Sequence, residues 1–134
     1  MDCHLTKEHI EACDNCIEAC QRSIDTAQEV IDMCSANDNI DCAEHVGMCI
    51  KNCAACIEAC KVCIQFCRKH RQECKNVECK KKMDWCINRC QECISACEES
   101  MTECKAEKKE CIDKCVKNIE ACSDCSQACQ QIKS

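Results

Sequence analysis

The 134-residue chain has no proline, no tyrosine and a single glycine, Gly47. With helix breakers missing, and Lys, Glu, Ala, Ile and Gln abundant, little interrupts a helix except short polar stretches. No period-two alternation of β-branched residues marks a strand. Phe66 and Trp85 are the only aromatic residues besides the histidines, and Leu5 is the only leucine. That supply excludes an ordinary core filled by Leu and Phe. No apolar stretch approaches the roughly 20 residues that a bilayer crossing needs. The opening MDCHLTKEHIEAC lacks the apolar central region of a secretory signal, so a cytoplasmic location is expected, or a trimmed exported form if Met1 is an added start. Charge of one sign is missing as well. Interspersed acidic (24) and basic (18) residues leave a net charge of −6, which argues against the basic stripe of a nucleic-acid surface. The short lysine run at 80–82 reads as a solvated helix face.

What fills these absences is cysteine, 24 residues of it. Residues 49–67 read CIKNCAACIEACKVCIQFC, with cysteines at gaps of four, three, four, three and four. This is the spacing of heptad positions a and d. Cys53, Cys60 and Cys67 take a, and Cys49, Cys56 and Cys63 take d, forming one stripe on a helix. His70 continues it at d and Cys74 at a. Ile50, Ile57 and Ile64 flank the stripe at e.

The stripe occurs four times and slips register three times. In the first segment Cys13, Cys16 and Cys20 run a, d, a, preceded by His9 at d and followed by Ala27, Val30 and Cys34. Ile10, Ile17, Ile24 and Ile31 flank it. From Cys34 to Cys42 the gap is eight, across the turn-rich SANDNID. A five-residue gap from Cys74 to Cys79 marks a second turn. Cys79, Met83, Cys86, Cys90, Cys93 and Cys97 follow in one register, and Cys111, Cys115, Cys122, Cys125 and Cys129 in another. Cys104 lies between them, and a third turn is expected within 100–109. The competing reading is one helix over 79–131. The spacing predicts a single all-α domain, an antiparallel up-and-down four-helix bundle with a cysteine-lined core, with helices near 6–34, 41–73, 78–102 and 108–131. At 1.5 Å per residue it is roughly 40 Å long.

Three chemistries suit a tube of thiols. Thiolates select soft ions, above all Cu(I), which accepts two or three sulfurs and tolerates bridging ones. Cysteines three or four apart on a helix lie about 5–6 Å apart at Cβ, so each CxxC or CxxxC pair is a candidate two-coordinate site. A continuous stripe allows a chain of them, with a capacity on the order of ten to twenty ions. These ions would also fill the space that small side chains leave. The candidate ligands are Cys13, Cys16, Cys20, Cys34, Cys42, Cys49, Cys53, Cys56, Cys60, Cys63, Cys67, His70, Cys74, Cys79, Cys86, Cys90, Cys93, Cys97, Cys104, Cys111, Cys115, Cys122, Cys125 and Cys129. A disulfide scaffold is the second chemistry, but such scaffolds are short, secreted and loop-rich. Zinc is the third. It wants closed sets of four ligands, into which a uniform stripe does not obviously separate. A thiol redox enzyme lacks its βαβ context, and no catalytic residue stands out.

Imidazole and thioether ligands hold Cu(I) less firmly than bridging thiolate, so they suit the mouths of the tube. His70 is the strongest such candidate. His9 ranks behind it with His45, and His4 lies before any clear register. Met83 and Met101 read first as adaptable core fillers. Trp85 is expected to cover an outer seam or a subunit contact. Cys3 falls outside any register, and Cys34, Cys42, Cys74, Cys79 and Cys104 sit at helix ends, where a peripheral place is expected.

The stretch CAACIEACKVCIQFCRKH, residues 53–70, resembles a helix of the bacterial copper storage proteins that reads C-x2-C-x3-C-x2-C-x3-C-x2-H. CINRCQECISAC, residues 86–97, resembles the helix that follows it there. Together they cover about a third of the chain. The resemblance implies a four-helix bundle holding many Cu(I) ions, with histidine near one end. It also implies a homo-oligomer, often a tetramer, exchanging copper with a chaperone or small chelator. By position it implies Cys53, Cys56, Cys60, Cys63, Cys67, His70, Cys86, Cys90, Cys93 and Cys97 as ligands. In the family this pair of helices closes the chain, whereas here another cysteine helix follows.

Overall fold

The computed structural model describes residues 4–36, 43–103 and 108–133, with side chains at 4–33, 47–102 and 111–133. Four helices account for nearly all of them: α1 (Lys7–Ala36), α2 (Ala43–Glu73), α3 (Val77–Glu103) and α4 (Lys108–Lys133). Local chemistry starts two of them. Thr6 Oγ1 accepts from the His9 backbone N–H at 3.1 Å, capping α1. Asn76 Oδ1 accepts from the Cys79 N–H at 3.1 Å, capping α3. Each cap satisfies a donor that the first turn would leave unpaired.

Each helix packs against the next in sequence, and α4 closes on α1, while α1 and α3, and likewise α2 and α4, stand on the diagonals. The sulfur contacts show that all neighbours are antiparallel. Cys16 meets Cys60 and Cys20 meets Cys56 between α1 and α2, and Cys90 meets Cys125 and Cys93 meets Cys122 between α3 and α4. Because α3 and α4 lie side by side, the single long helix over 79–131 does not form. The bundle therefore has two ends. One gathers the α1 and α3 N-termini with the α2 and α4 C-termini, and the other gathers the opposite termini.

Cysteine dominates the core. Ile57, Ile64 and Ile87 are buried at the flanks of the stripes, and Ile17, Ile24, Ile31, Ile94, Ile112 and Ile119 are half-buried beside it. Burying one such side chain contributes about 1.5–3 kcal/mol, so the isoleucine rows stabilise the helix seams and shield the sulfurs from water. Ion pairs on the outside, such as Arg71–Asp84 at 2.6 Å, Lys114–Glu99 at 3.1 Å and Lys133–Asp14, link neighbouring helices. Exposed pairs of this kind contribute about 0–1 kcal/mol each. No described helix is long and apolar enough to cross a membrane.

Candidate metal centre

The heptad stripes turn sixteen cysteines so far inward that none has any exposed surface. They meet in layers, because cysteines three or four apart on one helix face cysteines three or four apart on an antiparallel neighbour. One layer joins all four helices through Cys20, Cys56, Cys93 and Cys122. Its sulfurs are 3.7 Å (Cys20–Cys56), 3.5 Å (Cys56–Cys93), 4.0 Å (Cys20–Cys93) and 3.4 Å (Cys93–Cys122) apart. The next comprises Cys16, Cys60, Cys90 and Cys125, with Cys125 Sγ 3.6 Å from Cys16, 3.8 Å from Cys60 and 3.5 Å from Cys90. The third has Cys63, Cys86 and Cys129 at 3.7–4.0 Å, with Cys13 of α1 fully buried beside them. These separations are far beyond the roughly 2.05 Å of a disulfide bond, and every described cysteine is a free thiol.

The layers also connect lengthwise. Four groups of four sulfurs lie within 4.8 Å of one another: Cys16/Cys20/Cys60/Cys125, Cys16/Cys90/Cys125/Cys129, Cys20/Cys56/Cys93/Cys122 and Cys63/Cys86/Cys90/Cys129. Cys16, Cys20, Cys90, Cys125 and Cys129 each belong to two of them. The sequence places candidate sites on pairs within one helix, to which facing helices can add a third sulfur. The structure instead builds each group from three or four helices. It also corrects the argument against zinc, because the uniform stripes do form closed four-sulfur sets once four helices face one another.

Protons are shared unequally in these layers. Burial opposes the thiolate throughout. Even so, Cys16, Cys56, Cys86 and Cys93 are held below the ordinary thiol value of 9.0 by neighbouring thiols, foremost Cys125, Cys122, Cys129 and Cys122 respectively. Cys63 is lowered to about 6, by Cys129 and then Cys13. Cys60, Cys90 and Cys129 are pushed up, with Cys125 the foremost neighbour, and so is Cys20, with Cys122 foremost.

Histidine marks one end. His9, ranked second by sequence, is almost fully buried, and its Nε2 lies 3.4 Å from Cys67 Sγ. Its ring stacks on Phe66 at 5.8 Å and meets the His70 ring edge-on at 5.8 Å. His70 Nε2 is 3.1 Å from Cys79 Sγ, and His70, Cys74 and Cys79 form a further group within 4.8 Å. The helix-end cysteines Cys74 and Cys79 therefore join a ligand set across the α2–α3 turn. A cavity of about 160 Å³, lined by Thr6, Glu8, Phe66, Lys69 and Glu73 around His9 and His70, opens here.

The opposite end is chemically different. Cys49 Sγ contacts Ser100 Oγ at 3.9 Å, and Cys97, Cys111 and Cys115 are buried on that side. Cys53 is lowered to about 4, foremost by Cys49 and Cys97, with Ser23 and Asn118 adding. Sequence reasoning missed Ser23, Ser100 and Asn118, all buried, although each lies three residues after a cysteine at position a. Met83 is the largest fully buried side chain, as a core filler would be. Met101 and Trp85 are half-buried against the core. Cys3, Cys42 and Cys104 lie outside the described residues, as do the side chains of Cys34 and His45.

No family model, curated protein or solved structure matches the chain. The functional reading therefore rests on this geometry, a cysteine-rich four-helix bundle whose buried sulfur groups can hold soft metal ions.

Proposed function

We propose that the protein stores or sequesters Cu(I), holding many ions in one continuous thiolate core. The observation that carries this reading is the sharing of sulfurs between successive four-cysteine groups in a core without a balancing cation. Among the described buried side chains the polar ones are His9, Ser23, Thr26, Ser100 and Asn118, with no lysine or arginine. A Zn(II) ion held by four thiolates leaves two negative charges uncompensated, and stacked layers would multiply that cost. Cu(I), at close to one ion per bridging thiolate, leaves the core near neutral. The resemblance of residues 53–70 and 86–97 to bacterial copper storage proteins supports the same choice. On this reading His9, His70, Cys74 and Cys79 receive and pass on ions at the mouth, a copper chaperone or small chelator is the exchange partner, the working form is a homo-oligomer of cytoplasmic location, and no catalysis is involved.

The closed four-sulfur sets favour a second reading, a zinc or other soft-metal thiolate buffer. Anaerobic titration separates the two. The reduced protein is expected to show 24 titratable thiols when denatured, and to bind Cu(I), in competition with a chelator, well beyond one ion per four cysteines. Loading should release protons and weaken as pH falls, because each ion displaces thiol hydrogens. Saturation at two or three Cu(I) would exclude storage, and a low thiol count would point to a disulfide scaffold.

A further inference from the structure

Beyond the last all-cysteine layer, toward the α1 C-terminus, the core changes from four sulfurs to two sulfurs and two other polar groups, Ser23, Cys53, Cys97 and Asn118. All four are buried, Asn118 completely. The Asn118 amide uses every hydrogen-bonding position it has. Nδ2 donates to Cys53 Sγ at 3.3 Å and to Cys97 Sγ at 3.6 Å. Oδ1 accepts from Ser23 Oγ at 3.0 Å and from Cys122 Sγ at 3.2 Å. Ser23 Oγ lies in addition 3.7 Å from Cys53 Sγ. The amide is fixed in one orientation, with both its N–H groups aimed at sulfur.

We propose that Cys53 and Cys97, the two sulfurs that share the Asn118 amide donors, form a two-coordinate Cu(I) site, that Asn118 is its positioning residue, and that this site is the first in the core to fill. The inference rests on the Cu(I) reading above and adds an order of loading to it. One Cu(I) between two thiolates carries a net negative charge. A buried charge needs hydrogen-bond donors. In the all-cysteine layers the donors are S–H groups, which are weak and disappear as metal displaces their protons. At Cys53 and Cys97 the donors are amide N–H groups that persist after the metal binds and strengthen against a charged sulfur. The first ion, with no neighbouring copper to offset its charge, therefore settles beside Asn118. Later ions neutralise one another and fill the layers. Cooperation between donor and metal-bound sulfur is the effect that outer-shell partners exert on metal ligands generally.

The test is anaerobic competition of the full chain for Cu(I) against bathocuproine disulfonate, from the first equivalent to saturation. Asn118→Leu keeps the volume and removes both donors. It is expected to weaken the first equivalent by about tenfold to a hundredfold, while later equivalents and the final capacity stay within one ion of wild type. Cys53→Ser should weaken the first equivalent comparably, and Cys3→Ser, at a cysteine outside the heptad stripes, should leave it unchanged. X-ray absorption at one equivalent should show two sulfur neighbours and no copper neighbour. An even loss across all equivalents in Asn118→Leu, a Cys3→Ser effect as large as that of Cys53→Ser, or three sulfur neighbours at one equivalent would overturn the inference. If Asn118→Leu fails to fold, the serine pair and the absorption spectrum still decide it. Wild-type protein that saturates at two or three ions contradicts the Cu(I) reading itself.

Discussion

Serine in place of Cys16, Cys60, Cys90 and Cys125 should cut Cu(I) capacity by about half while leaving helicity intact. Four of 24 cysteines would account for far less if each acted alone. The larger loss comes from sharing. This layer lies between two others, and three of the four all-cysteine groups lose at least one ligand; only Cys20/Cys56/Cys93/Cys122 keeps its full set. A serine hydroxyl is a hard, poor ligand for Cu(I), but it is close in size to a thiol and can take over the hydrogen bonds that the thiols exchange at 3.5–3.8 Å. The apo variant should therefore fold, as circular dichroism would report, and chelator competition would give the capacity. A proportionate loss of about one-sixth would mean isolated sites. An unfolded apo variant would give the thiols a scaffold role instead.

Copper loading should raise the thermal midpoint by more than about 20 °C, a consequence of binding to the native state alone. A site held at a thousand times its Kd stabilises by about 4 kcal/mol, and several sites act together. The metal-free core is also poor in the large side chains that usually fill an interior, so it forgoes dispersion contacts. Metal bonds between helices replace weak S–H···S contacts in the layers. Anaerobic calorimetry of apo and loaded protein measures the difference, and acid should reverse it as protons displace the ions. A midpoint that loading does not move would place copper outside the folded core.

The four-helix architecture was legible because the heptad spacing of cysteine is strict and each slip in it falls between two helices. SANDNID and the Cys74–Cys79 gap carry that information directly. The layering was not legible. It depends on how far each helix slides against its neighbours, which is set by turns and by packing of the isoleucine rows, and no single helix encodes it. Hence the four-sulfur sets across helices, and the zinc-compatible geometry that comes with them, emerge only in three dimensions. Ser23, Ser100 and Asn118 were available in the register, three residues after Cys20, Cys97 and Cys115, but a search for sulfur passes over them. His9 ranked behind His70 because a histidine at a helix end is commonly a solvated or capping residue. Its burial against Cys67 follows from α1 beginning at the end where α2 finishes. Cys74 and Cys79 looked peripheral for a sound reason, their place at helix ends, yet the three-residue link between α2 and α3 folds them back onto His70.

Crystals of the copper-loaded protein, with an anomalous difference map at the copper edge, test most directly whether the sulfur layers are the storage medium. Peaks should run in a file along the bundle axis, between the Cys20, Cys16 and Cys63 layers and on toward Cys53 and Cys97. Peaks confined to the surface or to the His70, Cys74 and Cys79 group, with an empty axis, would contradict it.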